Sequence, residues 1–84
     1  MKKEDKIISI RQVCEAFVLS HVQPFEQANA ALGIYPPERC EAIKSYIATC
    51  RNEYLRRKAL ILAATTNDEA DAVTFTAPPV PQGL

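Results

Sequence analysis

Three cysteines and one histidine are the first candidates in this sequence for metal binding or for nucleophilic and base chemistry. Cys14, Cys40 and Cys50 form no CxxC pair, and an odd number of separated cysteines is typical of thiols in a reducing compartment. Each lies on the apolar stripe of a predicted helix, where a thiol behaves as a small buried hydrophobe. We therefore expect structural thiols. Only Cys40, near the start of its helix, is placed where the helix dipole would help to lower a thiol pKa.

His21 also lies on an apolar stripe, beside Val22. A metal site would need further ligands close to it, and only scattered cysteines and helix-surface carboxylates are available. A general base needs a nucleophile or an orienting carboxylate within reach, and we expect Ser20 to point elsewhere on the helix. The sequence also has no glycine-rich phosphate loop, nucleophile elbow or HExxH motif. We expect no catalytic residue, no metal and no cofactor.

The basic residues form one local pattern. Lys44, Arg51 and Lys58 recur every seven residues along one flank of a predicted helix, and Arg56 and Arg57 thicken this line at one end. Ten basic and ten acidic residues cancel over the whole chain, so no overall field attracts a polyanion. The line is either a solvated flank whose aliphatic stems cover the core edge or a surface for an acidic partner or a nucleic acid. Nucleic acid is disfavoured, because helix-turn-helix and aromatic signals are missing.

The composition is that of one small domain: 48% of the residues are hydrophobic, 24% are charged and only two are glycine. So few glycines argue against a turn-rich all-β fold. No apolar run approaches the roughly twenty residues that a membrane span requires, and the charged first residues do not resemble a signal peptide. We expect a cytoplasmic protein.

Two segments of helical periodicity, residues 4–32 and 37–65, carry the side chains discussed above. In both segments, apolar residues recur in steps of three and four, which is the pattern of an amphipathic helix. Gly33 suits the C-terminal cap of the first segment, and Pro37 suits the first turn of the second. Because the connection is short and the segments are nearly equal in length, we predict an all-α fold in which they form an antiparallel helical hairpin.

Pro24 interrupts the first arm, because proline lacks an N–H group and clashes with the preceding helical turn. We expect the arm to be kinked or broken there. The sequence leaves open whether residues 24–32 continue the first helix or fold back as a separate helix of a three-helix domain. In a symmetric hairpin, residues whose numbers sum to about 69 face each other, which would place Cys14 near Leu55 and leave no cysteine pair suitable for a disulfide.

Both arms carry a wider apolar surface than one helix–helix seam can bury, and a domain of this size is already marginally stable. Self-association of two hairpins into a four-helix bundle with twofold symmetry would cover this surface. A larger protein partner is the other solution, and the two can coexist. We predict a homodimer that also binds another protein.

The composition changes after Asn67 to acidic residues and then to a proline cluster around Pro79. Too few apolar residues remain to offset the entropy cost of ordering this stretch. We therefore divide the chain into a helical hairpin domain, residues 1–67, and a flexible proline-rich tail, residues 68–84. The alternative is a tail that docks as an extended or polyproline segment on a partner.

The exposed shoulder of the second helix and the turn between the helices are the surfaces where we expect a partner to bind. We predict a non-enzymatic adaptor or modulator, such as an inhibitor, of a larger protein; accessory proteins of phages and mobile elements are often of this size and type. The alternative is a small dimeric nucleic-acid-binding regulator that uses the basic flank of the second helix. The predicted partner-binding residues are Tyr46, Leu55, Leu62, Lys44, Arg51, Lys58, Ile34 and Tyr35.

Overall fold

The computed structural model describes residues 2–84, which form four α-helices and contain no strand. The helices are α1 (Lys3–His21), α2 (Pro24–Ala31), α3 (Pro37–Ala63) and α4 (Asn67–Ala72). The prediction of an all-α fold is therefore confirmed. The molecule is elongated, measuring 47 × 18 × 16 Å, because α3 runs along most of its length. Within these residues, no helix combines the length and the apolarity that crossing a membrane requires.

The first arm is broken in front of Pro24, and α2 is a separate helix. Val22 and Gln23 have extended backbone conformations between α1 and α2. Pro24 occupies the first turn of α2, and the Gln23 N–H group donates to the Glu26 carboxylate (3.1 Å) in a capping box. The Gln23 side chain also donates to the Leu19 carbonyl at the end of α1 (3.0 Å). Side chains next to the break thus replace hydrogen bonds that a continuous helix would have made.

Gly33 ends α2 in the manner that its sequence position indicates. Its φ of 73° lies in the left-handed region, its N–H group donates to the Ala30 carbonyl (3.2 Å), and the Ile34 N–H group donates to the Asn29 carbonyl (3.0 Å). These two hydrogen bonds form a Schellman motif, which fixes the direction in which the chain leaves the helix. Ile34 is therefore held against the last turn of α2.

Contacts between their residues show that α1 and α3 run in opposite directions. The Lys3 ammonium, at the start of α1, donates to the Leu62 carbonyl near the end of α3 (3.1 Å). The Cys14 thiol donates to the Cys50 carbonyl (3.5 Å). Cys14 thus faces Cys50, and the prediction that it faces Leu55 is wrong. All three cysteines are free thiols.

An asymmetric turn between α2 and α3 explains the shifted register. The Asn29 amide donates to the Tyr35 hydroxyl (3.1 Å), so the connecting chain runs back beside α2 before α3 begins. The Arg39 guanidinium, in the first turn of α3, reaches the Glu26 carboxylate near the start of α2 (2.9 Å). Every residue of α3 therefore lies further from the turn than a symmetric hairpin would place it.

The C-terminal segment, residues 67–84, packs along the helices, in contrast to the flexible tail predicted from residue 68 onward. The Thr66 hydroxyl caps α4 by accepting from the Glu69 N–H group (3.1 Å). The Lys6 ammonium on α1 donates to the Asp71 carbonyl (3.0 Å). Beyond α4, the Phe75 ring lies 6.0 Å from the Phe17 ring, measured between centroids. The apolar side chains of this segment, although few, are placed where they contact the core.

The buried residues form two clusters along the seam between α1 and α3. Tyr54 and Phe75 pack against both clusters and connect them. One cluster consists of Ile10, Ile61 and Ala70, and it lies where α4 meets α1 and α3. The larger cluster, nearer the turn, consists of Cys14, Val22, Ala30, Cys40, Ile43, Tyr46 and Cys50.

Candidate protein-docking surfaces

The predicted shoulder residues of α3 do not share one surface. Tyr46 is only 1% exposed, so its placement on an exposed shoulder is wrong. Its ring packs edge-on against the His21 ring (5.5 Å between centroids), and Phe75 from the C-terminal segment packs against the same cluster. Leu55 and Leu62 are exposed. Tyr46 is therefore a core residue, whereas Leu55 and Leu62 lie on an open flank of α3.

The basic line along α3 is reduced by ion pairs within the helix. Arg56 and Arg57 both bind the Glu53 carboxylate, at 2.6 and 2.7 Å respectively. Hydrogen bonds from Arg56 and then from Arg57 lower the pKa of Glu53 to about 2, so this carboxylate stays charged at neutral pH. Lys58 is half-buried, whereas Lys44 and Arg51 are exposed. The exposed positive charge of this line that is not engaged by Glu53 is thus carried by Lys44 and Arg51.

The most exposed large apolar side chains of residues 2–84 belong to α2 and to the turn that follows it. Leu32 is 75% exposed, and Phe25 and Ile34 are each 63% exposed. We call these three residues the apolar tip. Phe25 and Leu32 are seven residues apart on α2 and share its outer face, while Ala30 faces the core. Among the predicted residues, Ile34 belongs to this tip.

Polar contacts fix the segment that carries the apolar tip. Tyr35 is half-buried beneath the Arg39 guanidinium, which lies 3.9 Å from the centre of its ring. The Cys40 thiol donates to the Tyr35 carbonyl (3.3 Å). Together with the Arg39–Glu26 ion pair and the Schellman motif, these contacts join the turn to both α2 and α3. Tyr35 therefore positions the tip, and the tip is ordered before any partner arrives.

A groove lies along the seam on the flank away from the C-terminal segment. It consists of two adjoining cavities, one of about 440 Å³ between α1 and α3 and one of about 390 Å³ between α2 and α3, and both are lined by Gln27, Ile47 and Arg51. Lys6 and Phe17, which contact the C-terminal segment, lie on the other flank of α1. We call this feature the open groove.

The open groove has an apolar floor and basic edges. Its α1 wall includes Arg11 and Leu19, and its α3 wall includes Lys44 and Arg51. The only acidic lining residue, Glu15, lies 3.7 Å from the Arg11 guanidinium. The apolar floor is formed by Cys14, Val18, Ile47 and Tyr54.

Burial holds two thiols of the core, those of Cys14 and Cys50, and the Tyr46 hydroxyl in their neutral forms. Burial, together with the proximity of Cys50, raises the pKa of the Cys14 thiol, and burial also raises the pKa of the Cys50 thiol. Burial and then a hydrogen bond with Cys50 raise the pKa of Tyr46 to about 12. A nucleophilic cysteine requires a thiolate, which these surroundings disfavour.

His21 caps the end of α1. Its Nδ1 atom lies 3.0 Å from the Phe17 carbonyl oxygen, 3.0 Å from the Ser20 hydroxyl and 3.3 Å from the Tyr46 hydroxyl. The prediction that Ser20 points away from His21 is therefore wrong. In the tautomer that carries a proton on Nδ1, this atom donates to the Phe17 carbonyl and cannot take a proton from Ser20. The contact orients the imidazole and does not activate the serine.

Comparison with known proteins gives no match: no protein-family model fits the chain, and neither curated proteins nor solved structures resemble it. Across residues 2–84, no group of three or more His, Cys, Asp or Glu side chains is arranged to hold a metal ion.

The candidate functional features of the structure are the apolar tip and the open groove. Sequence periodicity missed Phe25 and Leu32 as surface residues, because their spacing is also that of a core stripe.

Proposed function

We propose that the chain is a non-enzymatic adaptor or modulator that binds a larger protein through its apolar tip. The observation that carries this proposal is that the most exposed large apolar side chains of the described chain, Phe25, Leu32 and Ile34, all belong to α2 and the turn that follows it. Single exposed apolar residues are normal, but a contiguous apolar patch on an ordered surface marks an interaction site. The antiparallel pair α1 and α3 then serves as a hairpin scaffold that holds the tip at one end.

Burial of the apolar tip would supply part of the free energy of binding to a partner. Full burial of a side chain such as Phe, Leu or Ile contributes about 1.5–3 kcal/mol. Because the three side chains are about two-thirds exposed, a partner that covers them would gain about 3–6 kcal/mol in total. Little of this gain is lost in ordering the turn, since the Schellman motif and Arg39 already hold it.

The groups that could do chemistry support a non-enzymatic role. The Cys14 and Cys50 thiols are buried with raised pKa values, and the His21 imidazole is engaged by a backbone carbonyl. The ion pairs of α3 weaken the alternative that the basic line binds nucleic acid. Arg56 and Arg57 share Glu53, which leaves few free cations on the helix.

The predicted homodimer remains part of the proposal, in a modified form. The four-helix bundle was predicted because both arms carry a wider apolar surface than one seam can bury, and part of that surface, including Tyr46, is buried within one copy. Contact between two copies would therefore have to use the apolar tip or the open flank with Leu55 and Leu62. We retain inhibition of a larger protein, an origin in a phage or mobile element, and a cytoplasmic location as hypotheses.

Differential affinity capture tests the proposed use of the tip. The full chain is immobilised as wild type, as a Phe25→Ser/Leu32→Ser variant, and as a Leu60→Ser/Val80→Ser control that removes two exposed apolar residues elsewhere. A lysate of the source organism should contain a protein that wild type and control retain, and the tip variant should bind it about 100-fold more weakly. Equal retention by all three baits would refute the proposal. Circular dichroism verifies that each bait is folded.

A further inference from the structure

We propose that the open groove is a docking site for an acidic amphipathic helix of a partner protein. The bound helix would lie along α3, against α1 in one part of the groove and against α2 in the other. The groove is separate from the apolar tip, and the inference does not depend on the tip. It rests on three properties of the groove: which side of the seam it occupies, its length and its charge.

The two sides of the seam between α1 and α3 are covered unequally. On one side, the C-terminal segment packs through Phe75 against Phe17, and Lys6 holds the backbone at Asp71. On the other side, no residue beyond Tyr54 lines the groove, and Leu19 remains exposed. A helix lying in the groove would complete the seam on its open side, as the C-terminal segment does on the other.

The length of the groove fits a helical segment. Its lining residues on α3 extend from Ile43 to Tyr54, which corresponds to about 17 Å, or about three helical turns, at 1.5 Å per residue. An amphipathic helix of about a dozen residues presents its apolar stripe to such a groove in the helix-in-groove mode of recognition. The floor supplies apolar contacts throughout, from Cys14 and Val18 on α1 to Ile47 on α3.

The charge of the groove selects an acidic partner. Lys44 and Arg51 stand one heptad apart on the α3 wall, and neither forms an ion pair within residues 2–84. Lys58 continues the same line beyond the groove. On the facing wall, Glu15 is already close to Arg11 (3.7 Å). A bound helix with acidic residues seven positions apart, beside its apolar stripe, would place a carboxylate next to each cation, as flanking charges do in coiled coils.

Two synthetic probes test this inference with the full chain. Both are fluorescent amphipathic helical peptides with the same apolar stripe; one carries glutamate beside the stripe, and the other carries lysine at the same positions. Fluorescence anisotropy should show saturable binding of the acidic probe, at least about tenfold tighter than that of the basic probe and weaker at high salt. Amide chemical shifts of the protein should change along the groove and not at Phe25, Leu32 and Ile34.

Variants locate the site and provide controls. Arg51→Glu and Lys44→Glu should each weaken binding of the acidic probe about fivefold, since each replaces a favourable charge pair by a repulsive one. Arg56→Glu, which changes the net charge equally but lies outside the groove, should leave binding unchanged. Leu19→Asp should abolish binding, whereas Leu60→Asp, at a similarly exposed site, should not.

The inference is overturned if the acidic probe does not bind or if the two probes bind with equal affinity. It is also overturned if binding is insensitive to both Arg51→Glu and Lys44→Glu in proteins shown to be folded. Chemical-shift changes confined to the apolar tip would also overturn it. That last result would leave the proposed function standing, so the two proposals fail separately.

Discussion

Replacing Phe75 with alanine tests whether the C-terminal segment belongs to the folded core. Phe75 is half-buried, packs against both core clusters, and lies 6.0 Å from the Phe17 ring at an interplanar angle of 34°. Truncating a fully buried phenylalanine costs about 3–5 kcal/mol. Half of that cost, with the aromatic pair included, gives a loss of about 2 kcal/mol for Phe75→Ala. In a domain of this size such a loss lowers the Tm by about 10 °C.

Urea and thermal unfolding, followed by circular dichroism, measure this effect. Val80→Ala is the control, because Val80 lies in the same segment but is exposed, and it should change stability by less than about 0.5 kcal/mol. A double-mutant cycle with Phe17→Ala should give a coupling energy of about 0.5–1.5 kcal/mol between the two rings. If Phe75→Ala unfolds like wild type, the segment is flexible, and the packing of Phe75 against both core clusters is wrong.

Two further predictions concern the turn and the core. Gly33→Ala should destabilise the chain by about 1 kcal/mol in urea unfolding, because alanine is strained at the Gly33 φ of 73°. No neighbouring atom obstructs the added Cβ, so the loss comes from the backbone conformation. Unchanged stability would contradict the Schellman geometry. The buried Tyr46 has its pKa raised to about 12, so it ionises more easily in the unfolded chain, and stability should fall as the pH rises from about 10 through 12. Tyr46→Phe should flatten this loss of stability. Tyrosinate absorbance of the folded wild type should include a component that titrates near pH 12 and is missing from Tyr46→Phe. Identical dependence of stability on alkaline pH in the two proteins would argue against burial of the hydroxyl.

Local sequence signals predicted the helices that they directly specify. The interruption at Pro24, the cap at Gly33 and the start at Pro37 follow from the backbone requirements of these residues, and all three are present. The register between α1 and α3 could not be predicted in the same way. It depends on Tyr35 reaching back to Asn29 across an asymmetric turn, and no local pattern encodes that contact.

The sequence of the C-terminal segment contains a helix-start signal that its proline-rich, acidic composition obscures. Thr66 followed three residues later by Glu69 is a capping box sequence, and Thr66 does cap α4. The prolines and acidic residues nearby suggested a flexible tail, because composition averages over the few apolar residues. Phe75 is one of these apolar residues. It packs against the core because of its position relative to the seam, and the number of apolar neighbours in the sequence does not reveal that position.

The apolar tip exists because the two extended residues between α1 and α2 change the direction in which the side chains of α2 point. At 3.6 residues per turn, a continuous first arm would place Leu32 about five full turns after Cys14, and Phe25 about three turns after it. Both side chains would then point into the seam with Cys14. The break at Val22 and Gln23 turns α2 about its own axis, so that the stripe of a core helix faces outward. The same residues can be core or interface, and a single proline decides which.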